Sequence, residues 1–183
     1  MALKVKKPIV MVGMMGAGKS AVGRTLAQVL GVPFLDSDHE IERAAAMSIA
    51  EVFERDGEAF FRARETEVLK RLLTTGPCVI STGGGAFLAE ENRQMMHDIG
   101  VSVWLRADLD LLWERVRHKS TRPLLHTPDP KGTLRDIYDR RVGIYAKADL
   151  VVDAHPAYSL GDMTKQVIRV LKTRPDVLEE KRK

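Results

Sequence analysis

The residues Gly13-Met14-Met15-Gly16-Ala17-Gly18-Lys19-Ser20 set glycines, a lysine and a hydroxyl at the spacing G-x-x-x-x-G-K-[ST]. Glycines let backbone N–H groups turn inward on a phosphate, and a helix that starts there adds a favourable dipole. Lys19 supplies a positive charge for the outer phosphates, and the Ser20 hydroxyl can ligate Mg²⁺. This stretch predicts a site for a nucleoside triphosphate, with Gly16, Ala17, Gly18, Lys19, Ser20 and Ala21 against the phosphates.

Other stretches carry chemistry that depends on their neighbours. In Asp36-Ser37-Asp38 an extended backbone would put both carboxylates on one side. One would then hold Mg²⁺, directly or through water, while the other faces an acceptor hydroxyl. Gly83-Gly84-Gly85 is costly in any regular element. Three glycines in a row therefore suggest a ligand lying against the main chain. Arg62 and Glu65 stand three apart on a predicted helix. They form either a solvated surface pair of little value or a guanidinium that Glu65 aims at a substrate carboxylate. Arg140-Arg141 carries the same ambiguity. Arg122 lies in a basic, proline-rich stretch, where a guanidinium could swing over a transferring phosphate. The five histidines show no metal-ligand spacing, and the methionines read as packing residues.

These groups need a frame, and the apolar pattern supplies one. Short β-branched runs at 8–12, 32–36, 78–82, 101–105 and 149–153 alternate with helical stretches. Such alternation predicts an α/β fold with a parallel sheet and right-handed crossovers. At 183 residues and 44% apolar content, the chain is expected to form one domain, 1–183. Two connections are too long for simple crossovers: 38–73, read as a substrate-binding insertion, and 117–132, read as an irregular basic lid. The outer part of the charged tail 172–183 is expected to fray. A net charge of +4 suits anionic ligands, but 5% aromatic content provides no base-stacking platform, so no nucleic-acid partner is expected. Cys78 is alone, which excludes an intramolecular disulfide, and no apolar run reaches membrane-spanning length. The expected setting is cytoplasmic, without a membrane partner.

In order, the phosphate loop, Asp36-x-Asp38, Gly57-Glu58-x-x-Phe61-Arg62-x-x-Glu65, Gly83-Gly84-Gly85, Arg122-Pro123-Leu124-Leu125 and Arg141-x-x-x-Tyr145 resemble the shikimate kinase family. The match runs from about residue 9 to residue 153. It implies a three-layer α/β/α P-loop kinase with a five-stranded parallel sheet, a shikimate-binding subdomain and a mobile lid. It also implies transfer of the ATP γ-phosphoryl group to the 3-hydroxyl of shikimate, leaving ADP, by a monomer using one Mg²⁺ per ATP. On that resemblance Asp38 contacts the shikimate hydroxyls and Arg62, Gly84 and Arg141 are further shikimate contacts, with Gly83 and Gly85 flanking. Ser20 ligates Mg²⁺ with Asp36 nearby, and Lys19, Asp38 and Arg122 form the catalytic set. Nearby cations are expected to hold Asp38 ionised. Ala21 stands where relatives commonly carry Thr, and Ala157 where they carry Arg or Gln near adenine, with Arg115 and Arg117 both open as flanks for the base. The competing readings are another small-metabolite kinase of this architecture, such as a gluconate kinase, and a non-catalytic nucleotide-binding module.

Overall fold

The apolar runs pair side by side in the computed structural model, which describes residues 2–118 and 126–182. In chain order the strands are β1 (Leu3–Val5), β2 (Ile9–Val12), β3 (Phe34–Asp36), β4 (Val79–Ser81), β5 (Val101–Arg106), β6 (Leu150–Asp153) and β7 (Leu178–Glu180). The described helices are α1 (Lys19–Leu30), α2 (Ser37–Ala45), α3 (Ile49–Leu73), α4 (Glu90–Ile99), α5 (Leu109–Val116), α6 (Pro130–Tyr145) and α7 (Leu160–Leu171). Strands β2 to β6 form one parallel sheet in the order β3-β4-β2-β5-β6. Every residue of central β2 is buried, as a strand covered by helices on both faces requires. This is the five-stranded α/β architecture that the sequence predicts.

The topology decides where a ligand can sit. From β2 the chain runs through α1 to β3 on one side, whereas from β4 it runs through α4 to β5 on the other. Right-handed crossovers therefore leave the adjacent strands β2 and β4 towards opposite faces of the sheet. Accordingly α1 packs with α7, and α3 with α4. Beyond the carboxyl ends of β2 and β4 lies the crevice where open α/β sheets take ligands. Asp36, Ser81 and Met11 stand level across β3, β4 and β2, so the loops that follow these strands begin side by side.

Three expectations are corrected. Asp36-Ser37-Asp38 does not stay extended: β3 ends at Asp36, whose carboxylate accepts from the His39 N–H at 3.1 Å and caps α2. Aspartate is favoured both at a helix cap and in the first turn beside the positive end of the dipole, and here that preference wins. Asp38 thus reaches the sheet edge on a helix. The stretch expected to stay irregular to about 132 meets α6 at Pro130, whose ring suits the first helical position, where no N–H is missed. The tail is tied down: β7 pairs antiparallel with β1, with Lys4 opposite Glu179. Val177 and Leu178 are buried, and Lys172 pairs with Glu180 at 2.7 Å. Among the described residues no helix is long and apolar enough to cross a membrane.

Candidate active site

Two loops face each other across the crevice. The first follows β2 and feeds α1, whose N-cap is Gly18 at φ 93°. Lys19 opens the helix and is buried, and its Nζ donates to the carbonyls of Gly13 at 2.6 Å and Met14 at 3.0 Å. Ser20 Oγ donates to Asp36 Oδ2 at 3.3 Å and lies 3.1 Å from Ser81 Oγ. A hydroxyl and a carboxylate from different elements thus converge at the phosphate end. Such hard oxygens, completed by phosphate and water oxygens, suit Mg²⁺, which rarely takes an all-protein cage.

The second loop is the triple glycine after β4. Each of its glycines has one charged side chain lying against it. A Cβ at Gly83 would stand 2.6 Å from the Asp38 carboxylate, and one at Gly84 3.2 Å from Arg141 Nη1. At Gly85 it would meet both Arg62 terminal nitrogens at 2.5 Å. The glycines are required by close approach: α2, α3 and α6 each lay one charge on a bare backbone floor. Two buried contacts hold the floor. Thr82 Oγ1 donates to the Met11 carbonyl at 2.8 Å, and Asn92 Nδ2 to the Ala86 carbonyl at 2.9 Å.

The surface-pair reading of Arg62 and Glu65 does not hold. Glu65 is 2% exposed and accepts from Arg62 Nη1 at 2.9 Å, so the guanidinium is aimed by a carboxylate fixed in the core. Burial pushes the Glu65 carboxyl up, against the pull of Arg62. The Arg140-Arg141 ambiguity also resolves. Arg140 donates back to the Asp136 carbonyl at 3.2 Å on the exposed side of α6, while Arg141 turns to the glycine floor.

Asp38 is under opposing influences. Its carboxyl is raised above the ordinary value, first by burial and then by the neighbouring Asp36 carboxylate, with Lys19 and Arg62 pulling the other way. The cations are close enough to act, but burial and Asp36 outweigh them.

One cavity of about 610 Å³ joins these parts. Its wall includes Gly16 to Ala21, Asp36, Asp38, Gly83 and Gly84, so these residues, singled out by sequence, meet in one space. Arg62, Arg141 and Gly85 adjoin it through the glycine floor. Arg122, with Lys119, Pro123, Leu124 and Leu125, lies outside the described residues. Of the two arginines left open for the base, Arg115 lines the cavity and donates to the Gly16 carbonyl at 3.1 Å, while exposed Arg117 pairs with Glu114. Ala157 is exposed; its neighbour Tyr158 lines the cavity instead, a contributor that sequence reasoning missed. Ser81 was also missed, although its place at the end of β4, level with Asp36, was a usable signal. Among the described residues no cluster of three or more His, Cys, Asp or Glu is gathered for a metal.

Comparison with known proteins agrees with this geometry. A family model described as shikimate kinase matches residues 15–172. The shikimate kinase of Ruegeria pomeroyi is 65% identical over 178 residues, covering 97% of this chain and 91% of that protein. That of Cereibacter sphaeroides is 61% identical over 176 residues, covering 96% and 88%. Among solved structures, shikimate kinase from Acinetobacter baumannii in complex with shikimate superposes with a TM-score of 0.86 at 37% identity, covering 92% of this chain and 94% of that one.

Proposed function

This chain belongs to the shikimate kinase family, and from that premise we propose that its cleft transfers the γ-phosphoryl group of ATP to the 3-hydroxyl of shikimate, giving shikimate 3-phosphate and ADP. One observation carries the reading: a carboxylate and two guanidinium groups each rest on one glycine of a bare floor, facing a loop built for phosphates. A small acid bearing several hydroxyls is what such a set would hold. Arg62 and Arg141 grip its carboxylate, and Asp38 orients the acceptor hydroxyl and receives its proton late in transfer.

Phosphoryl transfer runs through a loose transition state, so positioning and charge neutralisation supply most of the catalysis. Lys19 and the N–H groups around Gly16, Ala17 and Gly18 hold the phosphates. Ser20 and Asp36 would hold Mg²⁺, which would supply charge neutralisation for the transferring phosphoryl group. Arg115 and Tyr158 wall the nucleotide side. The span 38–73 serves as the shikimate-binding subdomain, built of α2 and α3, and α3 bends at Gly57, where φ is 84°. The reading carries a cytoplasmic monomer with no nucleic-acid partner.

The test is direct. Purified protein is given ATP with shikimate or gluconate, with and without Mg²⁺, and ADP release is followed. Release is expected with shikimate and Mg²⁺ alone. Turnover with gluconate in place of shikimate would favour the rival kinase, and nucleotide binding without transfer would favour the non-catalytic module.

Gly85→Ala separates the floor from the fold. The backbone of Gly85 is right-handed helical, φ −91° and ψ −12°, which alanine adopts freely. The clash falls on the flexible end of Arg62, which can move aside. The melting temperature is therefore expected to stay near its original value while the KM for shikimate rises about tenfold, the effect of weakening one charge-assisted hydrogen bond. An unchanged KM would take Arg62 out of the clamp.

A further inference from the structure

We propose that the hydroxyl of Tyr145 is the positioning group that locks the Arg141 guanidinium to the glycine floor, and so fixes where the acid end of the acceptor lies. The inference rests on the assignment of Arg141 to the shikimate carboxylate and extends it to a residue that never faces the cleft.

Tyr145 ends α6, one turn after Arg141, and is fully buried. Its ring stacks with Phe87 at 6.3 Å and with Trp104 at 6.1 Å, so it cannot re-aim. A phenol offers one proton and acceptor lone pairs. Here the proton goes to the Gly84 carbonyl, at 2.5 Å. The Arg141 guanidinium stands close enough to the same oxygen to hold the phenol down against the upward push of burial. A Cβ on Gly84 would stand 3.2 Å from Arg141 Nη1 and 3.9 Å from the Tyr145 hydroxyl, so the three groups meet at one point. The hydroxyl thus ties together two parts of the acceptor site that come from different elements: the middle glycine of the floor, after β4, and a guanidinium on α6. A plain core tyrosine would need a partner for its hydroxyl, but not these two at once.

Removing the oxygen alone tests this. In Tyr145→Phe the ring keeps its stacking, while Arg141 loses its anchor and Gly84 its donor. The dissociation constant and KM for shikimate are expected to rise about tenfold, as for a hydrogen bond to a charged group. The ATP KM should hold, and kcat should fall far less than the shikimate KM rises. In an Arg141→Ala background the same change should add nothing, since two groups acting through one contact are not additive.

Equal weakening of shikimate and ATP binding would overturn the proposal in favour of general loosening. Full additivity with Arg141→Ala, or unchanged shikimate binding, would overturn it as well. If Tyr145→Phe is less stable, titrations are run below its own melting temperature, and the ATP arm still distinguishes loosening from loss of the clamp. The unaltered protein serves as the control on the premise. If it binds no shikimate, the site assignment falls and this inference falls with it. If it binds shikimate and Tyr145→Phe binds equally well, only this inference falls.

Discussion

Lys19→Ala is expected to lower kcat/KM by ~10³-fold or more while leaving the protein folded, because the phosphate loop's own compact positive charge at the developing transition state disappears. The side chain opens α1 at the mouth of the cleft and is only 9% exposed, so its ammonium acts in a setting with little water to screen it. It is the foremost cation acting on Asp38, which places it between the phosphate loop and the acceptor end. The α1 dipole cannot replace it, being worth about half a charge at the helix end. The fold should survive, since the Lys19 ammonium donates to carbonyls of its own loop, those of Gly13 and Met14. The core contacts of α1 come from Val22, Leu26 and Leu30. Lys19→Arg should restore little, because a planar fork is wider than an ammonium and does not fit a tight, buried cradle in the same way. Steady-state kinetics with a melting curve on each variant decide the matter. Near-normal turnover in a folded Lys19→Ala protein would remove Lys19 from the catalytic set.

What could be read from sequence was what is local. The β2 strand, the loop at 13–20 and the start of α1 form one contiguous run, and each residue's type reports its own surroundings. The triple glycine was legible for the same reason, because missing side chains signal close approach wherever they occur. Which side chain approaches each glycine was not legible, since Asp38, Arg62 and Arg141 arrive on three separate helices. The Asp36-Ser37-Asp38 stretch misled because aspartate and serine serve a strand end and a helix cap equally well; the N–H of His39, three residues on from Asp36, decided between them. The tail misled because a charged run looks solvated until its partner is known. Its partner is the basic start of the chain, opposite it in β1. Burial of Glu65 lay equally out of reach: its spacing from Arg62 is the same for a surface pair as for a core carboxylate.

The same separation explains why stability and activity divide within the cleft. Ser20, Asp36, Asp38 and Ser81 crowd oxygen atoms at the carboxyl edge of the sheet, with Lys19 as a near cation. That crowding suits a cation and a polyphosphate, and the buried charge at Asp38 weighs on the fold.

Asp38→Asn is therefore expected to give a slower and more heat-stable protein. The kcat for shikimate phosphorylation should fall by about 10²-fold or more, the usual scale for loss of a positioned proton acceptor. KM should change less, since Asn keeps the shape that lies against Gly83 and can still hydrogen-bond a hydroxyl. Stability moves the other way. The folded carboxyl is raised by burial and by Asp36, so between the unfolded value and the higher folded value the native state binds more protons than the unfolded chain. Unfolding free energy then falls as pH rises through that window, and above it the ionised group weighs fully against the ligand-free fold. At neutral pH the melting temperature of Asp38→Asn should exceed that of the unaltered protein, and the gap should close as pH falls below the raised folded value. The acid limb that Asp38 gives to kcat/KM should vanish in the variant. Adding ATP, Mg²⁺ and shikimate should reverse the order of melting temperatures, because the charge then has partners. A variant that melts lower than the unaltered protein at neutral pH without ligands would show that Lys19 and Arg62 already compensate the buried charge, and that Asp38 enters the reaction as an ordinary low-pKa carboxylate.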